Sequence, residues 1–257
     1  MPIVPPIDPG RHVRIEQLQN QWERFGASDP LRAVLADTKD EAVLNDPAEF
    51  FALGRADVDR WLARLGQLRG TLPAERALDF GCGAGRLTQA LARHYRQVVG
   101  VDVSRPMLDA ARRHNEFGER VTFVHNPSAD LRILGDDRFD LVLTHIVLQH
   151  LSPVLITGYL SELLRIVAPG GSMVFQLPVE RTGRRGRYAV IQRLSWLIRA
   201  YRRLRHGPAP HMEMHAVSEE KVAELIARGG GKILAADRDD SAGPAFESRI
   251  FYVVKES

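Results

Sequence analysis

The sequence predicts an α/β protein: a doubly wound, mostly parallel sheet with helices on both faces and one antiparallel strand near the C-terminus. Three observations carry this. Between Arg76 and Pro178 the pattern alternates strand and helix five times. The first strand, ending at Phe80, breaks on Gly81, Gly83 and Gly85 and turns directly into a helix. The chain then closes on two strands joined by a loop containing Gly243-Pro244 with no helix between them, which makes a hairpin.

A chain of 257 residues, 44% hydrophobic and 26% charged, suits one large domain or a core with an appendage. There is no run of about eighteen apolar residues, and MPIVPPIDPGRH has neither a basic nor a long apolar region, so the reading is cytoplasmic with no transmembrane segment. The single Cys82 excludes an intramolecular disulfide, fits a reducing compartment, and is read as a small packing residue rather than a nucleophile. The net charge of +3 is local in origin. Nine arginines and no acid lie between Arg181 and His206, and the remainder holds 26 basic against 32 acidic residues, a net −6. An all-over nucleic-acid footprint is therefore not expected.

Taken in order, residues 1 to about 10 read as a proline-rich arm. Helical spacing follows from Glu16 to Leu68, in pieces bounded by Asp29-Pro30 and Asp46-Pro47, with Trp22, Phe25, Phe50, Phe51 and Trp61 as its aromatics. QVVGVD is a second strand ending in Asp102, and Ser104 with Pro106 starts the next helix. Strands follow at Val121 to Val124 and Arg138 to Thr144. A helix begins on Ser152-Pro153 and stops at Pro169-Gly170-Gly171, before the strand SMVFQLP. A helix from Ser218 to about Arg228 and strands at Lys232 to Ala236 and Arg249 to Val254 complete the chain. The expected organisation is an N-terminal helical cap (1–70), a cofactor-binding core (71–180), a helical insertion (181–217) and a C-terminal completion of the sheet (218–257).

The glycine spacing narrows the function. A dinucleotide fingerprint would need glycine at position 86, which is Arg86, and no Lys-Ser/Thr pair closes a P-loop. The D-x-G-x-G-x-G run of Asp79 to Gly85 instead resembles motif I of the class I S-adenosylmethionine (SAM) dependent methyltransferases, whose sheet is Rossmann-like. The resemblance covers roughly Arg76 to Pro178. It implies SAM as cofactor, with Gly81 and Gly83 beside it and Asp79, Arg86, Val103 and Thr144 lining its site. Asp102 at the end of the second strand is placed to accept the ribose hydroxyls, by the logic of the dinucleotide fold. Met107 is expected against the adenine, and Arg55 is a candidate for the cofactor carboxylate. Where such enzymes often carry an acid after the third strand, Pro127 stands here; Asp130, with the main chain of Ala129, is the expected substitute.

Methyl transfer from a sulfonium needs alignment and control of the nucleophile's proton. His145, at the end of the fourth strand by the topological switch point, is the first candidate for the base, followed by His150. In HMEMH, His215 or Glu213 is expected to line the acceptor pocket; His211, Glu213 and His215 also form a less favoured set for a divalent metal. The insertion YAVIQRLSWLIRAYRRLR is an amphipathic helix that fits a lid over the acceptor, an interfacial helix on anionic lipid, or a homodimer contact, and the lid is preferred. The expected activity is O-methylation of a small, sugar-like hydroxyl acceptor. N- or C-methylation of another small molecule or lipid, or a SAM-fold binding protein, are the alternatives.

Overall fold

The computed structural model describes residues 9–31, 46–182 and 213–256. The arm up to residue 8, the amphipathic helix expected over 188–205 and His211 lie outside the described residues. In chain order, α1 (Pro9–Ser28) and α2 (Pro47–Arg69) precede β1 (Arg76–Phe80), α3 (Arg86–Leu91), β2 (Gln97–Asp102), α4 (Arg105–Arg113) and β3 (Val121–His125). Next come β4 (Phe139–Thr144), α5 (Pro153–Ile166) and β5 (Val167–Arg181), then α6 (Glu219–Arg228), β6 (Gly231–Asp239) and β7 (Phe246–Lys255).

All seven strands join one sheet in the order β3-β2-β1-β4-β5-β7-β6. β1 through β5 pair in parallel, while β7 runs antiparallel between β5 and β6. The closing hairpin thus inserts its second strand into the sheet and leaves its first at the edge. Strand order reverses between β1 and β4, so the carboxyl ends of these two strands open a crevice.

The period-two alternation of the strands divides the core into two layers. Leu78, Phe80, Val142, Phe175 and Val253 pack with Leu155 and Leu160 of α5 and Val222 and Ile226 of α6. Ala77, Leu141, Leu143 and Val174 face the other way, onto Val58, Trp61 and Leu65 of α2 and Leu87 and Leu91 of α3. Each large aliphatic side chain so buried contributes about 1.5–3 kcal/mol. Helix α2 starts on Asp46, whose carboxylate accepts the Ala48 N–H at 2.8 Å. Arg64 holds Asp237 of β6 through two bonds of 2.8 and 3.2 Å, and Arg69 in the last turn donates to Ser172 and to the Gly170 carbonyl of β5. This long helix is therefore fixed across the sheet.

Helix α5 ends earlier than its pattern suggests. The chain is already extended at Val167, which pairs with Phe139: the carbonyls of Arg165 and Ile166 accept from the N–H groups of Asp137 and Arg138 instead of continuing the helix, and Pro169 keeps Ala168 out of helical geometry.

Candidate active site

The glycine turn between β1 and α3 is pinned to the end of β2. The N–H groups of Gly81 and Cys82 both donate to the Val101 carbonyl (2.8 and 3.0 Å), and the Gly83 N–H donates to Asp102 Oδ2 at 2.8 Å. Gly81 has φ +74°, and a Cβ there would stand 2.3 Å from Val147, so only glycine lets the loop after β4 approach so closely. Beside this turn lies a cavity of about 570 Å³, within the usual range for small-molecule sites.

Of the sequence-predicted cofactor residues, Asp79, Gly81, Gly83, Arg86, Asp102, Val103 and Met107 all line the cavity. Asp102 accepts from Gly83 on one oxygen and from the Ser104 N–H (2.8 Å) on the other, which leaves each oxygen a free lone pair. Burial pushes its carboxyl above the usual range against the pull of those N–H groups. Asp79, 2% exposed, is pushed up to about 6, chiefly by burial and despite the 2.6 Å bond from Thr88 Oγ1. The Arg86 guanidinium is buried, donates to Asp57 of α2 at 2.8 Å, and its Nε is without a partner. That unpaired donor suits an anionic ligand group.

Four expectations are corrected. Arg55 lies outside the lining: Gly54 faces α3, and a Cβ on it would meet the Arg86 carbonyl at 2.5 Å, so Arg55, about 100° further round the helix, points elsewhere. Asp130 turns away to Arg132, accepting from its N–H (3.2 Å) and its Nη2 (2.8 Å). Although burial works the other way, those bonds hold its carboxyl below the usual value, and Ala129 is plain core. The residue that lines the cavity after β3 is Asn126, whose N–H donates to the Asp102 carbonyl at 3.0 Å and whose Nδ2 donates to the Asp130 carbonyl at 2.7 Å. Its signal was its place as the first residue beyond β3, next to the carboxyl end of β2. Thr144 is buried behind the lining with an unpartnered hydroxyl.

The histidines separate. His145 and His150 line the cavity, and His215 does not. In the segment after the undescribed stretch, Met214 faces the cavity, and consecutive residues of an extended chain point to opposite sides. Glu213 and His215 thus share the outer side, 3.7 Å apart, and no group of three metal-ligating side chains occurs among the described residues. His145 Nδ1 is buried without a hydrogen-bond partner, and burial, aided by the positive charge of Arg86, pulls its pKa down to about 3. His150 lies edge-on to Trp22 with centroids 5.9 Å apart, and burial lowers it to about 4. Sequence reasoning also missed Gln149, Val147 and Ser241 as lining residues.

Residues 77–171 match the family described as "Methyltransferase domain". Curated relatives include ubiquinone biosynthesis O-methyltransferases of Cereibacter sphaeroides, one 29% identical over 171 residues and another 31% over 172. In both cases the match covers 65% of this chain and 63% of the relative, so the chain spans less than two thirds of their length. A Coxiella burnetii enzyme of the same name is 33% identical over 107 residues, 41% of this chain and 44% of its own. Among solved structures, magnesium protoporphyrin IX methyltransferase from Synechocystis with bound SAH superposes at a TM-score of 0.64 and 20% identity, covering 94% of this chain and 99% of that one. A SAM-dependent methyltransferase of Leishmania major gives 0.62 at 14% identity, covering 93% and 82%. Motif I, the switch-point cavity, the strand order and the matched residues lead to one identification: residues 77–171 form a methyltransferase domain, built on the Rossmann-like class I fold of SAM-dependent methyltransferases.

Proposed function

We propose that this methyltransferase moves the methyl group of SAM to a hydroxyl of a small acceptor, with His145 receiving the hydroxyl proton. The observation that carries this reading is a half-buried histidine in the wall of the same cavity as Asp102 and the glycine turn, with its Nδ1 lacking a hydrogen-bond partner. The free lone pairs of Asp102 suit the two ribose hydroxyls, Val103 and Met107 suit the faces of the adenine, and Asn126 suits its polar edge. Arg86 suits the cofactor's carboxylate. When bound, SAM supplies an electrophilic methyl group. The chain's part is to align the acceptor, which is worth about 7–11 kcal/mol in well-oriented reactions, and to take the proton. His145, held neutral by burial, is always in the accepting form at neutral pH, and the hydroxyl becomes acidic as its oxygen is methylated.

The acceptor end favours a different molecule from the sugar-like one expected from sequence. Leu18, Trp22 and Phe25 of α1 line the cavity together with Val147, Leu151 and Met214. A bare polyol would leave its hydroxyls unpaired on such a wall, whereas a hydroxylated aromatic ring would bury its faces. The O-methyltransferase names of the Cereibacter relatives support transfer to oxygen. Methyl transfer from labelled SAM should be measured against phenols with apolar substituents, amines and sugars. Turnover of the phenols is expected. Turnover confined to amines would overturn the O-methylation reading, and turnover confined to sugars would overturn the apolar acceptor.

A further inference from the structure

The loop after β4 contains a strained residue. Ile146 has φ +59°, a strained left-handed conformation that a β-branched side chain rarely adopts. Its N–H donates to Oε1 of Gln176, a fully buried side chain on β5, at 3.2 Å. The amide group of Gln176 donates onward to Gln149 Oε1 (3.1 Å) and to Ser248 Oγ (2.7 Å) of β7. Gln149 Nε2 lies 3.2 Å from His150 Nε2, and His150 Nδ1 lies 3.5 Å from the Glu213 carbonyl.

The polarity of this chain of bonds has one solution. A main-chain N–H can only donate, so Ile146 requires the carbonyl end of Gln176 to face it, and the NH₂ end then faces Gln149. Gln149 must accept with its carbonyl and present its NH₂ to His150, whose Nε2 therefore accepts. The remaining ring nitrogen, Nδ1, carries the proton and faces a carbonyl that can only accept. Turning Gln176 over would set its NH₂ against the Ile146 N–H and leave buried donors unpaired, which is costly.

We infer that Gln176 is a positioning residue for methyl transfer. Through the Ile146 N–H it holds the left-handed turn that follows His145, and through Gln149 it fixes His150 as the neutral tautomer protonated on Nδ1. The lone pair of His150 is thereby occupied by Gln149, while Nδ1 of His145 has no partner. The first half of this role rests on the proposed reading of His145 as the base; the second half does not.

The test is the tautomer of His150, read from ring-nitrogen chemical shifts of the full-length protein without cofactor or acceptor. Wild type should show Nδ1–H. Gln176→Met, which keeps the volume and removes both polar ends, and Gln149→Leu, which cuts only the link to His150, should each move the ring toward the Nε2–H form. With an acceptor in hand, Gln176→Met should lower kcat by about tenfold or more while KM for SAM changes by no more than about threefold. Adding Ile146→Gly should return part of that loss, since glycine adopts the left-handed turn without strain. A wild-type Nε2–H ring, or a ring unchanged in Gln149→Leu, overturns the inference whatever the enzyme methylates and even where Gln176→Met does not fold. Failure of methylation on every hydroxyl acceptor, with the tautomer result intact, would count against the O-methylation reading alone.

Discussion

The indole of Trp61 and the imidazole of His145 meet with ring centroids 4.7 Å apart and planes tilted by 52°. Trp61 belongs to the same face of α2 as Asp57, which pairs with Arg86. One N-terminal helix therefore covers the histidine, whose burial is the main reason it stays neutral, and orients Arg86, whose charge adds to that effect.

Replacement of His145 by alanine should lower kcat by about 10²-fold, the low end for general-base catalysis, because a base of depressed pKa is a weak one. SAM affinity by calorimetry should stay within a few-fold. Since burial holds the group at about 3 rather than 6.5, the rate should show no inflection from His145 near neutrality. An inflection near 6.5 that vanishes in His145→Ala would contradict the buried state.

Asp102→Ala removes a carboxylate that both shapes the glycine turn and faces the cavity. Calorimetric SAM affinity should fall by at least about tenfold, which is 1.4 kcal/mol. Unchanged affinity would remove the ribose assignment.

Asp79 gives a pH-dependent stability. Its folded-state pKa is about 6 against an ordinary 3.8, so the native state holds the proton more tightly than the unfolded chain. Stability is fully present below about 3.8 and is lost as pH rises through about 6. Asp79→Asn, which keeps an oxygen for Thr88, should therefore stabilise the protein at pH 7–8 by up to about 3 kcal/mol, with the gain shrinking to nothing near pH 4. Urea denaturation at both pH values measures this, and a pH-independent difference would refute it.

Gly54→Ala separates helix propensity from packing. An exposed helical site would gain about 0.5–1 kcal/mol from the change. Here the new Cβ meets the Arg86 carbonyl at 2.5 Å, backbone that cannot swing aside, so a loss of about 1–3 kcal/mol and weaker SAM binding are expected. A rise in the denaturation midpoint would show that α2 and α3 can separate there without penalty.

Much of this protein is local in sequence. The strand-to-helix break on Gly81, Gly83 and Gly85, the carboxylate at the end of β2 and the Ser104 cap each depend on residues a few positions apart, and period-two and helical spacing report which face is apolar. The five-fold alternation and the helix-free closing pair of strands then leave few sheet topologies. What the tertiary structure alone decided is how buried polar groups are shared between distant segments. Gln176 meets residues 146, 149 and 248 because β5 lies between β4 and β7, and no local pattern reports a neighbour across a sheet. Asn126 rather than Asp130 reaches the cavity because Asp130 found Arg132 first, and Met214 rather than His215 because of the register of one extended segment against Gln149. The charge states follow the same rule: the sequence supplies Asp79 and His145, but the loss of solvent around them, a property of the packed whole, shifts both toward their neutral forms.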